Sequence, residues 1–143
     1  MSGICGIVLA SAAPDLGADL AAMAHALEQR GPDATRLWQG AGVGLAHALL
    51  ATTPEALAEA MPMSDAESGC VITADIRLDN REALFDALAI APAARSMGDG
   101  ELALRAYLHW GEACLHRLLG DFALAIHDPR TDELFCARDP LGM

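Results

Sequence analysis

Met1-Ser2-Gly3-Ile4-Cys5-Gly6-Ile7-Val8-Leu9-Ala10 begins the chain, and its residues 4–10 are apolar and rich in β-branched side chains. A short apolar run of this kind predicts a buried strand. Working outward, Asp15 precedes a stretch in which Leu16, Leu20, Met23 and Leu27 fall on one helical face. Arg30-Gly31-Pro32-Asp33 stops that helix, because Gly-Pro is rarely continued as helix and the residue before a proline is pushed toward extended backbone. Thr35–Gln39 and Val43–Leu49 read as two strands joined through Gly-Ala-Gly, the spacing of a hairpin.

Residues 53–68 are mixed in composition and predict loop with one short helical turn. Cys70–Ala74 reads as another buried strand, and Asn80 is placed to cap a short helix through Leu88. Asp99 with Glu101 starts a second helix that ends near Trp110-Gly111, and a further turn runs through Leu118. Phe122–His127 and Leu134–Arg138 are strands joined by Asp128-Pro-Arg-Thr-Asp132, a turn dense in breakers. Antiparallel strand pairs with helices grouped between them predict an α+β layered domain. At 143 residues the chain has room for one domain with a proper core.

Composition excludes several function classes. Nine Lys+Arg against twenty Asp+Glu give a formal net charge of −11. That field repels phosphate backbones and anionic lipid, so neither nucleic acid nor membrane is the expected partner. The apolar stretches are short and interrupted, and residues 1–12 lack a basic leader, so a cytoplasmic location is expected. Cys5, Cys70, Cys114 and Cys136 are scattered without C-x-x-C pairing and read as small buried thiols rather than a zinc site or disulfide scaffold. His109, His116 and His127 lie on different elements without ligand spacing, so no metal site is expected.

Several stretches, in order, carry a resemblance to one family. The opening Met1-Ser2-Gly3-Ile4-Cys5-Gly6-Ile7 is similar to a Met-Cys-Gly-Ile-x-Gly-Ile start. Arg30-Gly31-Pro32-Asp33 matches an RGPD signature, and Leu45-Ala46-His47-Ala48-Leu49-Leu50 an L-A-H-x-R-L strand. Thr73-Ala74-Asp75-Ile76 stands at an N-G-E-I strand end, and Gly98-Asp99-Gly100-Glu101 at a G/S-D-x-E helix start. Leu119-Gly120-Asp121-Phe122-Ala123 and Ala137-Arg138-Asp139-Pro140-Leu141-Gly142 resemble G-x-F-A-F and R-D-x-x-G strands. Each match is weak alone, but the ordered set covers nearly the whole chain. It resembles the N-terminal class II glutamine amidotransferase (glutaminase) domain of asparagine-synthetase-like proteins.

The resemblance implies the N-terminal-nucleophile hydrolase fold over residues 1–143, a four-layer αββα sandwich of two antiparallel sheets. The chain stops inside the last motif, which implies a C-terminally truncated domain with an ATP-dependent synthetase domain downstream as its own partner. ATP and magnesium would belong to that partner, and this domain would need no cofactor. A homo-oligomer is compatible with the sequence. In the family an exposed N-terminal Cys attacks the glutamine amide, and its α-amino group acts as base with a pKa near 7.7–8.0. An Asn-Gly pair forms the oxyanion hole and an Arg grips the substrate carboxylate.

The corresponding positions here depart from that pattern. Ser2 takes the nucleophile position, and a hydroxyl is far harder to deprotonate than a thiol of pKa about 8.5. Leu49 stands at the Arg position, where each lost charged hydrogen bond costs about 1.5–3 kcal/mol. Thr73 and Ala74 replace the oxyanion pair, and one missing donor costs about 10²–10³ in rate. Asp75 and Asp99 remain as substrate-binding candidates, Asp99 as a holder of an α-amino group. Because Leu49, Thr73 and Ala74 depart together with Ser2, natural divergence is favoured over a deliberate Cys-to-Ser exchange.

The expected function is therefore a glutaminase-type domain of an amide-forming ligase, with lost or impaired glutamine hydrolysis and a scaffold role. Two alternatives stand beside it: an amidohydrolase using Ser2 as a working N-terminal nucleophile, and a stand-alone module that binds an amino acid. Ala74 to Arg81 is also similar to asparagine-synthetase-like proteins that close macrolactam rings in lasso peptides, which need no ammonia. Cys5 reads as buried rather than nucleophilic, and His47 as a packed, hydrogen-bonded histidine. Arg30-Gly31-Pro32-Asp33 reads equally as a binding loop or a structural device. Asp75, Arg77 and Asp79 read as a solvated strand edge with local ion pairs.

Overall fold

The computed structural model describes residues 2–9, 16–40, 42–52 and 59–142. β1 (Gly3–Val8) pairs antiparallel with β3 (Val43–Leu49), and β3 pairs on its other edge with β2 (Ala34–Gly40). This gives a three-stranded sheet in the order β1-β3-β2. A second sheet contains β4 (Met63–Ser64), β5 (Val71–Leu78), β6 (Gly120–Asp128) and β7 (Glu133–Arg138), each antiparallel to its neighbour and in that order. Among the described residues three α-helices cover the outer faces: α1 (Leu16–Ala26), α2 (Arg81–Ala87) and α3 (Asp99–Trp110).

Strand alternation builds the layers. Successive side chains point to opposite faces of a sheet, so Val71 and Ala125 meet Val43, Leu45 and Trp38 between the sheets. Ile72, Ala74, Leu124 and Ile126 turn the other way and pack on Leu102, Ala103 and Ala106 of α3. On the far side Leu20 and Ala24 of α1 pack on Ala46, with Cys5 and Ile7 beside them. The result is helix, sheet, sheet, helix: the αββα sandwich expected of an α+β N-terminal-nucleophile hydrolase-like domain. β3 is buried along almost its whole length because both its faces are covered.

Several local expectations shift. Cys70–Ala74 was too short a reading for β5, which runs through Leu78 because each residue to Leu78↔Gly120 finds a partner on β6. α1 buries Leu20 and Ala24, while Met23 is exposed and Leu27 lies past the helix end. The helix sits close to its sheet, where a Cβ at Gly44 would come 2.9 Å from Leu20 Cδ2, so small positions decide which face turns inward. Asp15, Ala10 and residues 53–58 lie outside the described residues. Asn80 does occupy the cap position of α2, yet its side chain makes no capping bond. Its amide instead donates to Arg117 O at 2.8 Å and accepts Leu119 N–H at 3.1 Å, tying the entrance of α2 to the approach to β6. Gly111 ends α3 with φ of 60°, a backbone conformation that a side chain would penalise. Cys136 is exposed on β7 rather than buried, whereas Cys70 and Cys114 are buried as expected and Cys5 is half-buried.

Candidate functional site

The register of β1 with β3 carries the end of β3 back beside the start of the chain. There the backbone N–H of Leu50 donates to Ser2 Oγ at 3.0 Å, and Ser2 is 9 % exposed. The Arg30–Asp33 turn holds this segment from behind. Asp33 Oδ2 accepts Ala51 N–H at 2.8 Å, and Asp33 N–H donates to Leu49 O at 3.0 Å. Gly31 lies against the Ala48 peptide so closely that a Cβ there would fall 2.0 Å from the carbonyl oxygen. The turn is thus a brace for the segment that meets Ser2.

In front of Ser2 is a cavity of about 80 Å³. β3 contributes His47 and Leu49, β5 contributes Ala74, Asp75, Ile76 and Arg77, and α3 contributes Asp99 from its first turn. Leu50, Thr52, Glu59 and Met61 complete the lining. Of the residues singled out from sequence, Ser2, Leu49, Ala74, Asp75 and Asp99 are therefore brought together. Thr73 is the exception. It faces the other sheet, is 1 % exposed, and donates its hydroxyl to Ala46 O at 3.2 Å, deeper between the sheets than the cavity lining. Thr73 is not among the residues lining the cavity.

The charged groups are mostly committed. Asp99 Oδ2 accepts Leu78 N–H at 2.9 Å and its Oδ1 pairs with Arg81, whose other terminal nitrogen donates to Met97 O at 2.7 Å. Glu59 caps α3 from outside the helix, Oε1 accepting Glu101 N–H at 2.7 Å and Oε2 accepting Gly100 N–H at 3.4 Å. Burial raises the Glu59 carboxyl above its ordinary value; those two N–H bonds oppose the rise, and the charges of Asp99 and Glu101 add to it. Burial also lowers His47, against a raising effect from the Asp75 carboxylate and the Ala74 backbone. A buried, easily deprotonated imidazole is the packed histidine its sequence position suggested.

Over residues 1–143 the chain matches the family described as a glutamine amidotransferase domain. The chain belongs to that family. A Bacillus subtilis protein named asparagine synthetase (glutamine-hydrolysing) 3 is 33% identical, covering 85% of this chain and 20% of its own length. A Mycobacterium tuberculosis protein classed as a candidate glutamine-hydrolysing asparagine synthetase is 33% identical across 98% of this chain and 24% of its own length. A Penicillium rubens amidase, chyE, is 28% identical over 83% of this chain and 18% of its own length. The amidotransferase domain thus spans about a quarter of the length of the curated relatives it matches.

Within this glutamine amidotransferase domain, Cys5 sits on the face of β1 that packs under α1, and burial raises its thiol, as expected of a structural cysteine. Among the described residues no group of three His, Cys, Asp or Glu side chains is arranged to hold a metal ion, and no helix is long and apolar enough to cross a membrane. Glu59 is one charged lining residue that sequence reasoning missed, and Arg77 is another. The signal for Glu59 was indirect: Gly98 and Gly100 flank the start of α3, and a Cβ at Gly98 would lie 2.3 Å from Glu59 Cδ. Paired glycines at a helix entrance mark a place where another segment comes close.

Proposed function

We propose that this amidotransferase domain is the glutaminase-type portion of an asparagine-synthetase-like, ATP-dependent amide-forming ligase, and that it hydrolyses glutamine poorly or not at all. Leu49 carries the reading: a leucine lines the Ser2 cavity where the substrate carboxylate requires a forked guanidinium. Three further features support it. Ser2 offers a hydroxyl in place of a thiolate, Thr73 spends its hydroxyl on Ala46 O, and Asp99 is already paired with Arg81. Nucleophilic attack needs a deprotonated oxygen, an oxyanion donor and a gripped substrate at once, and each is weakened here.

In this reading the domain persists as a scaffold for a synthetase portion, which would supply ATP and magnesium chemistry, while the domain itself uses no cofactor. An amine from the substrate, as in lasso-peptide macrolactam formation, would replace ammonia. The protein would work in the cytoplasm. A second reading, Ser2 as a working N-terminal nucleophile, is favoured by one observation: Ser2 faces the cavity and its Oγ is oriented by Leu50 N–H, leaving the hydroxyl proton free to be donated.

Glutamate release from glutamine separates the two. The parent chain and Ser2→Ala are expected to give the same background rate. Turnover by the parent on the order of 1 s⁻¹ or faster, abolished in Ser2→Ala, would establish the second reading instead.

A further inference from the structure

The Ser2 cavity does not end at its own wall. Leu50, Thr52, Asp75, Ile76 and Arg77 also line an adjoining trough of about 270 Å³, which continues over Asp121 and Ala123 of β6. Asp75 and Arg77 are two residues apart on β5, so their side chains leave the same face of the strand about 7 Å apart. Arg77 is the only guanidinium lining either space among the described residues, and its side chain is 61% exposed. The cavity end is walled by carboxylates, Asp75 with Asp99 and Glu59. Arg77 is thus the one cation, among the described residues, in a connected space whose other charged lining groups are carboxylates, Asp75, Asp99 and Glu59 in the cavity and Asp121 in the trough.

We propose that Arg77 is the carboxylate-binding residue of this space, and that the space takes a zwitterion whose ammonium and carboxylate are separated along a chain: a dipeptide or an ω-amino acid rather than an α-amino acid. In an α-amino acid both charges sit on one carbon. A ligand with its ammonium against Asp75 then finds no partner for its carboxylate at Leu49, and the Arg77 guanidinium, drawn toward Asp79 and Asp121, is rooted one outward-facing position further along β5. A ligand with several intervening atoms spans that step. Arg77 is held by Asp79 Oδ1 at 2.9 Å and by Asp121 Oδ2 at 2.7 Å. A guanidinium has five N–H donors, and these bonds use two, so the fork is oriented without being exhausted. Exposed ion pairs of this kind are weak and can be shared with an incoming carboxylate.

This inference rests on the reading that the domain hydrolyses glutamine poorly or not at all, and the following experiment keeps the two apart. Titration calorimetry on the 143-residue chain with glycylglycine, 5-aminopentanoate, glycine and glutamine should show the first two binding at least tenfold tighter than the last two. Arg77→Ala should weaken glycylglycine by about tenfold while leaving the melting temperature nearly unchanged. Asp121→Asn, which removes a competing carboxylate from Arg77, should tighten it several-fold, an effect that a merely structural role for Arg77 does not produce. Equal or tighter binding of glutamine, indifference of glycylglycine to Arg77→Ala, or no heat from any ligand at millimolar concentration would each overturn the inference. Glutamine hydrolysis, assayed in parallel, would overturn only the underlying reading.

Discussion

β5 connects two polar regions that handle buried charge in opposite ways. At its Val71 end lies Asp128, 2 % exposed and bonded by Arg130 and Tyr107. Its Oδ1 accepts Arg130 N–H and Nε–H, both at 2.9 Å, and its Oδ2 accepts Arg130 Nη2 at 2.6 Å and the Tyr107 hydroxyl at 3.3 Å. The Arg130 bonds hold the Asp128 carboxyl well below the usual carboxylate range, and burial first, then the Asp128 charge, pushes Tyr107 up to about 12. At the Leu78 end, Ser2, Asp75, Glu59 and Asp99 instead converge on open space, with Asp99 and Glu59 bonded to backbone N–H groups that the space would otherwise expose. A carboxylate with strongly shifted titration is thus not the mark of the site in this fold. Asp128 is a lock, and the candidate site is where acceptors face a void.

The sharpest break in this contrast is Gly31→Ala. The added methyl would meet the Ala48 carbonyl, so the brace behind Leu50 and Ser2 must move; a loss of about 3 kcal/mol is expected by chemical denaturation. The same substitution should leave tyrosine signals from Tyr107 unchanged until global unfolding. Asp128→Asn should cost about 2 kcal/mol, because a buried acceptor for several donors is weakened, while glycylglycine binding at the other end stays the same. Binding loss in Asp128→Asn would mean that the two ends are coupled through β5.

A smaller effect separates the ends by pH. Asp128 has a folded value below its ordinary 3.8, so its contribution is present above that value and is lost as pH falls through it toward the folded value. Glu59 has a folded value above its ordinary 4.5, so its contribution is complete below that value and declines as pH rises through the folded value. The melting-temperature difference between parent and Asp128→Asn should therefore shrink on acidification below about pH 4. The Glu59→Gln difference should move the opposite way, becoming less unfavourable as pH rises from about 4 to 7. Parallel pH trends for the two variants would refute the assignment of either group.

Much of the element order was legible from periodicity. The β1 run, the β2–β3 hairpin, α3 from Asp99 to Trp110 and the β6–β7 pair lie where apolar alternation and breakers put them. The Ser2 constellation was legible only by resemblance, since Ser2, Leu49, Ala74, Asp75 and Asp99 are far apart in sequence and nothing in their spacing brings them together. Thr73 shows the limit of motif matching. On the strand face it shares with Asp75, its hydroxyl is bonded to Ala46 O, deeper between the sheets than the residues that line the cavity.

The sequence by itself determined which segments would be strands and helices and that the domain is acidic, while only its family resemblance set Ser2, Leu49, Thr73 and Ala74 at positions where the family carries other residues. Those are properties of residue type and local period, and they survive without knowing what lies opposite. Only the tertiary structure decided that the Arg30–Asp33 turn braces Leu50, that Glu59 reaches the start of α3, and that Arg77 shares a connected space with Ser2. Those depend on which backbone donors and which strand faces end up adjacent, and adjacency across a sandwich is set by sheet register and packing rather than by distance along the chain.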